Sequence, residues 1–132
     1  MKHIELMNYW IESSDKDFSV VFDLYKSKRF HYALFFGHLS LEKLFKGLYA
    51  KLHEKDPCAP RIHDLLSLAK KCGLEVEKDT KIKLDEITTF CFEARYEDYK
   101  KEFYKRCTPE YTKKQIEIIK ELREWVKSLI EK

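Results

Sequence analysis

The chain has 132 residues, 44% hydrophobic and 14% aromatic, enough apolar material for one domain with its own core. Three Gly and three Pro are too few for the many turns of a β-sandwich or barrel. A net charge of +3 does not by itself make a nucleic-acid binder, so any functional positive charge must be local.

The spacing of Ile4, Met7, Ile11, Phe18, Val21, Phe22 and Tyr25 predicts a first helix over residues 4–28. Ser13, Ser14 and Asp15 interrupt its middle, which leaves room for a local kink or break as well as for a continuous helix. A second helix is expected over 31–52, with Leu34, Leu41, Leu44, Leu48 and Leu52 as its stripe. Tyr32, Phe35, Phe36 and Leu39 make its first half apolar nearly all round, so it is either central or covered by a second subunit. Gly37 within it costs about 1 kcal/mol against Ala, which a close helix–helix approach would explain.

Residues 53–61, with two prolines and no periodicity, read as a loop. A short helix is expected over 64–72, with Gly73 as its C-terminal cap, and a further helix from Asp79 or Thr80 to Ala94. In that helix Ile82, Leu84, Ile87 and Cys91 should point inward, with Phe90 a further candidate. Residues 95–107 are dense in Tyr, Lys and Glu and carry no clear structural signal. Thr108-Pro109 restarts the chain as N-cap and first helical residue of a last helix reaching Ile130. The fold class is therefore all-α: an antiparallel four-helix up-and-down bundle with an additional short helix, in a single domain over 1–132.

Cys58, Cys72, Cys91 and Cys107 include no C-x-x-C pair, so they are expected to pack as small hydrophobes. The N-terminus does not read as a signal peptide, and no apolar run approaches a membrane span. A cytoplasmic protein without membrane association is expected.

Three segments can carry chemistry. His38, Glu42 and Lys46 are four residues apart and share one helix face beside the leucine stripe, with Lys43 adjacent. They are either a row of surface pairs or a polar groove for an anion or nucleotide; a metal site would need a third ligand. His63 and Asp64 open the short helix, where Asp64 can cap and His63 can satisfy a loop carbonyl. In the third segment Arg95 can hold phosphate bidentately, and Tyr96 and Tyr99 can stack on bases. The alternative is a helix packing its rings on the bundle, with Arg95 tied to Glu42 or Asp98. Lys100, Lys101, Lys105 and Arg106, interleaved with Phe103 and Tyr104, make a local basic-aromatic patch.

Together these segments resemble the HEPN family (higher eukaryote and prokaryote nucleotide-binding domain). The resemblance lies in an early Trp10; a His-x-x-x-Glu-Lys-x-x-Lys signature at His38, Glu42, Lys43 and Lys46; a His-Asp-Leu start at His63, Asp64 and Leu65; and an Arg-Tyr-x-Asp element at Arg95, Tyr96 and Asp98. It implies a helical bundle that dimerises through its central helices and partners a minimal nucleotidyltransferase. It also implies a nucleotide or RNA site formed by His38, Glu42, Lys43, Lys46, His63, Arg95, Tyr96, Asp98 and Tyr99. Branches of the family that cleave RNA without metal use an Arg followed four to six residues later by a His. Arg29, Arg61, Arg95, Arg106 and Arg123 have no His at that distance. The expectation is thus a binding module without cofactor, metal or catalytic motif. The alternative is a metal-independent RNA endonuclease toxin with His38 or His63 as base.

Overall fold

The computed structural model describes residues 2–132. It comprises helices α1 (His3–Lys26), α2 (Phe30–Leu52), α3 (Leu65–Lys71), α4 (Lys78–Glu93), α5 (Glu97–Arg106) and α6 (Pro109–Glu131), with no strand among the described residues. None of the helices is long and apolar enough to cross a membrane.

α2 is the axis of the molecule and packs against all five other helices. That position accounts for its nearly all-round apolar surface, because every face has a neighbour to bury against. Ala33, Leu34, Leu41, Leu44 and Phe45 are fully buried in it. Gly37 answers the close approach expected of it: a Cβ there would lie 2.6 Å from Cδ1 of Ile119 on α6. α1 and α2 are joined by three residues and lie along one another. Their turn passes through Lys28 in the left-handed region at φ 63°, while Arg29 N–H donates to the Leu24 carbonyl at 2.8 Å.

Of the two options left open at Ser13–Asp15, the continuous helix is realised. The reason is tertiary. Ser14 is fully buried, and its hydroxyl donates to the Ser40 carbonyl at 2.6 Å and accepts from Arg123 at 3.1 Å. Asp15 pairs with Arg123 at 2.7 Å and Lys127 at 2.8 Å. The polar interruption is thus a junction of α1, α2 and α6. Residues at the edges of the expected stripes do not reach the core: Ile4, Phe22, Leu52 and Ile82 are exposed, whereas Phe90 is fully buried.

The uncertain 95–107 stretch contains α5, held chiefly by Phe103, its one buried residue, stacked on Phe90 with ring centroids 5.5 Å apart. α6 begins as expected, with the Thr108 hydroxyl accepting from Tyr111 N–H at 3.1 Å and Pro109 at the first helical position. Gly73, at φ 75°, follows the end of α3.

Candidate functional site

The site is built around one buried carboxylate. Glu42 faces the loop of residues 53–64, and its two oxygens are engaged separately. Oε1 accepts from His63 Nδ1–H at 2.8 Å, and Oε2 accepts from the Lys46 ammonium at 2.9 Å. Burial by itself would raise the Glu42 carboxyl, but the hydrogen bonds from His63 and Lys46 and the Lys46 charge outweigh it and hold it below the usual range. The group is therefore an anion fixed inside the protein.

One turn earlier on α2, His38 has no solvent exposure. A carbonyl can only accept, so the 2.8 Å contact with the His63 carbonyl places a proton on His38 Nε2. His38 Nδ1 lies 4.0 Å from Glu42 Oε1, beyond hydrogen-bond reach, and is a buried atom without a partner among the described residues. Burial pushes the imidazole below its ordinary value, opposed by the bond to His63 and the Glu42 charge and assisted by the charges of His63 and Arg95. A neutral His38 presenting a bare Nδ1 lone pair follows. Its role is to pin the loop: His63 is held twice, through its carbonyl by His38 and through its ring by Glu42.

Arg95 belongs to the same neighbourhood, since its charge acts on His38. Cys91 lies between, feeling both Arg95 and Glu42, and burial raises its thiol. The exposed Arg95 side chain, in the turn after α4, folds back on the end of that helix, donating from Nε to the Cys91 carbonyl at 3.0 Å and from Nη2 to Cys91 Sγ at 3.4 Å. The pairing with Glu42 or Asp98 considered from sequence does not form. The guanidinium also sits 5.8 Å from the Phe35 ring centroid, which leaves its remaining N–H groups for a ligand.

The other sequence-derived residues divide. Tyr96 and Tyr99 are more than half exposed and flank Phe92, with centroids 6.2 and 5.4 Å from it. Asp98 is exposed in the first turn of α5. Lys43 turns to α1 instead, pairing with Asp17 at 2.6 Å and Ser13 at 2.8 Å. Asp64 occupies the N-cap position of α3 but makes no cap hydrogen bond; its carboxylate accepts from the Ser67 hydroxyl, and Leu65 N–H is satisfied by Thr88 Oγ1 at 3.1 Å. His63 bonds to Glu42 rather than to a loop carbonyl. The polar line on α2 is deeper than half-buried, with only 12% of the Lys46 side chain exposed.

The arrangement joins an oriented, exposed imidazole (His63), an exposed guanidinium (Arg95) and two exposed phenol rings. The model of the HEPN domain matches residues 7–129. The chain belongs to the HEPN family. No curated protein and no solved structure matches it. The HEPN match spans α1 to α6 and so includes every residue of the cluster.

Among the described residues no group of three or more His, Cys, Asp or Glu side chains is arranged to hold a metal ion. Burial pushes the thiols of Cys72 and Cys107 up to about 12, which removes them as thiolate nucleophiles. Sequence reasoning missed two residues of this HEPN neighbourhood, Cys91 and Phe35. Their spacing marks them as apolar helix positions and not as site residues, because they adjoin the site only through α2–α4 packing.

Proposed function

We propose that this HEPN chain, read as one antiparallel up-and-down bundle, is a nucleotide- or RNA-binding module without a catalytic role. Arg95 meets phosphate, Tyr96 and Tyr99 stack on bases, and His63 forms the rim, while Glu42 and His38 position the loop. The observation that carries this is geometric: Arg95, just past the end of α4, lies 5.8 Å from the ring centroid of Phe35 on α2, about one turn before the His38 that fastens the His63 loop. Fluorescence anisotropy of a labelled single-stranded RNA tests it. Arg95→Ala should weaken binding about tenfold and flatten its salt dependence; equal affinity of Arg95→Ala and the parent would remove the reading. Family membership further supports a homodimer and a minimal nucleotidyltransferase as partner, the latter tested by co-purification of the two chains.

One observation favours a second reading, metal-independent RNA cleavage. The His63 ring donates to the buried Glu42 anion through Nδ1, and its Nε2 meets no partner among the described residues. A neutral His63 oriented in this way can take the proton of a 2′-hydroxyl as that oxygen attacks phosphorus. The 5′-oxygen leaves with a proton from water, and Arg95 stabilises the phosphorane. His38, fully buried, is not the base in this scheme. Total RNA that stays intact with excess metal-free protein would exclude it; cleavage lost in His63→Ala would establish it over the binding module.

A further inference from the structure

A cavity of about 370 Å³ opens on the other side of Lys46, between α1 and the 53–64 loop, lined by Leu6, Trp10, Lys46, Cys58, Ala59 and Arg61. Its composition differs from that of the larger cavity, of about 590 Å³, beside the start of α1, which mixes acidic and basic side chains. Here the two charged lining groups are both cations. Arg61 is exposed and pairs with no carboxylate among the described residues. Lys46 is shared: its ammonium lies 2.9 Å from Glu42 and 5.5 Å from the Trp10 ring centroid. Since Glu42 neutralises Lys46, Arg61 leaves the cavity with an uncompensated positive charge.

The walls are fixed before any ligand arrives. Gly47 sits beneath Trp10, where a Cβ would lie 3.4 Å from the Trp10 Cβ and 3.5 Å from the Met7 carbonyl, so α1 lies close on α2. The loop carrying Cys58, Ala59 and Arg61 is stiffened by Pro57 and Pro60 and anchored through His63 to both Glu42 and His38. A half-buried indole, a free guanidinium and a shared ammonium in a space of mononucleotide size are complementary to a flat ring carrying a phosphate.

We infer that the Trp10–Lys46–Arg61 cavity binds the 5′-phosphorylated end of a nucleotide, either free or terminal in RNA, with phosphate at Arg61 and Lys46 and the base against Trp10. This deepens the RNA-binding reading by adding an end-recognition pocket. It uses none of the side chains proposed there to touch ligand, and the network Trp10–Lys46–Glu42–His63 joins the two.

The protein supplies two reporters. Cys58 is the exposed cysteine and lines the cavity, whereas Cys72, Cys91 and Cys107 are buried. Trp10 lines it too, and Trp125→Phe on α6 would leave Trp10 as the sole indole. At about 1 mM AMP, alkylation of Cys58 by a maleimide should slow several-fold, and Trp10 emission in Trp125→Phe should be quenched saturably. Arg61→Ala should shift both curves about tenfold to higher AMP. A 5′-phosphorylated tetraribonucleotide acting at lower concentration than AMP identifies an RNA end, and equal potency identifies a free nucleotide. Unchanged alkylation and emission at about 10 mM AMP would overturn the inference, as would equal protection by inorganic phosphate alone. Arg95→Ala separates the two readings: it should weaken strand binding about tenfold while leaving Cys58 protection by AMP intact.

Discussion

Glu42 shows how much one residue can organise. It is 5% exposed, yet it stays ionised because both oxygens are occupied by donors. Glu42→Gln would leave the Lys46 ammonium, itself mostly buried, without its counter-charge. A loss of about 2 kcal/mol in urea unfolding is expected, below the cost for a fully buried pair because Lys46 keeps some contact with water. The same residues set the acid response. His38 is lowered in the folded state from its ordinary 6.5, chiefly by burial. As pH falls below 6.5 the unfolded chain gains a proton that the native ring refuses, so stability declines until the lower folded value is passed. Glu42 is lowered from 4.5, so its contribution is complete above 4.5 and is lost as pH drops through its folded value. Two descending steps are expected on acidification. His38→Gln, which can still donate to the His63 carbonyl, should shrink the upper one, leaving the part due to His31, which burial also lowers. The readout is the change in urea midpoint between about pH 7 and about pH 5; an unaltered change in that variant would show that His38 does not carry the step.

Helices with several buried residues per turn were legible, and the one with a single anchor was not. α2 and α6 repeat apolar residues at helical spacing along more than twenty residues, and their limits fall within a residue of the expected ones. α5 has only Phe103 inside, while Tyr96, Tyr99 and Tyr104 beside it are exposed rings that imitate core positions. Periodicity cannot distinguish a tyrosine facing solvent from one facing the core. The Ser13–Asp15 interruption is ambiguous in sequence for a related reason, since its partners Ser40 and Arg123 lie on other helices and have no local signature. Because Phe103 holds α5, Phe103→Ala should cost about 3 kcal/mol and should act locally. Hydrogen exchange in residues 97–106 should rise towards that of unstructured chain while α1, α2 and α6 keep their protection. Uniform loss of protection across all six helices would mean that α5 is integral to the core. At the start of the next helix, Thr108→Ala removes the acceptor for Tyr111 N–H, and a cost of about 1 kcal/mol in thermal or urea unfolding is expected.

At the scale of the whole molecule, the sequence named the parts of the site but not their convergence. Nothing in the spacing of His38, His63 and Arg95 brings them to one neighbourhood; only the packing of α4 and the 53–64 loop against α2 does so. The apolar surface of α2 could mean a central helix or a subunit interface, and within one chain the first is realised. The homodimer proposed above must therefore use what remains uncovered. Tyr32, Phe92, Tyr96, Tyr99 and Tyr104 all stay more than a third exposed along the start of α2, the end of α4 and α5. Lys100 lies over the Tyr32 ring at 5.6 Å, and the Tyr104 ring packs on His31 at 4.4 Å, tying α5 to α2. Pairing two copies through Tyr32, Phe92 and Tyr104 would bury those three rings, leave Tyr96 and Tyr99 open to bases, and set two Arg95 side chains into one groove, giving strand binding a reason to depend on assembly. Light scattering should then give twice the 16.0 kDa chain mass. Phe92→Lys, at an exposed position, should return the mass to that of one chain with the helical circular dichroism retained. RNA affinity should fall in the same variant, while protection of Cys58 by AMP should not, because that cavity is built within one chain. A mass of one chain at every concentration for the parent would remove the dimer and confine strand recognition to a single Arg95–His63 face.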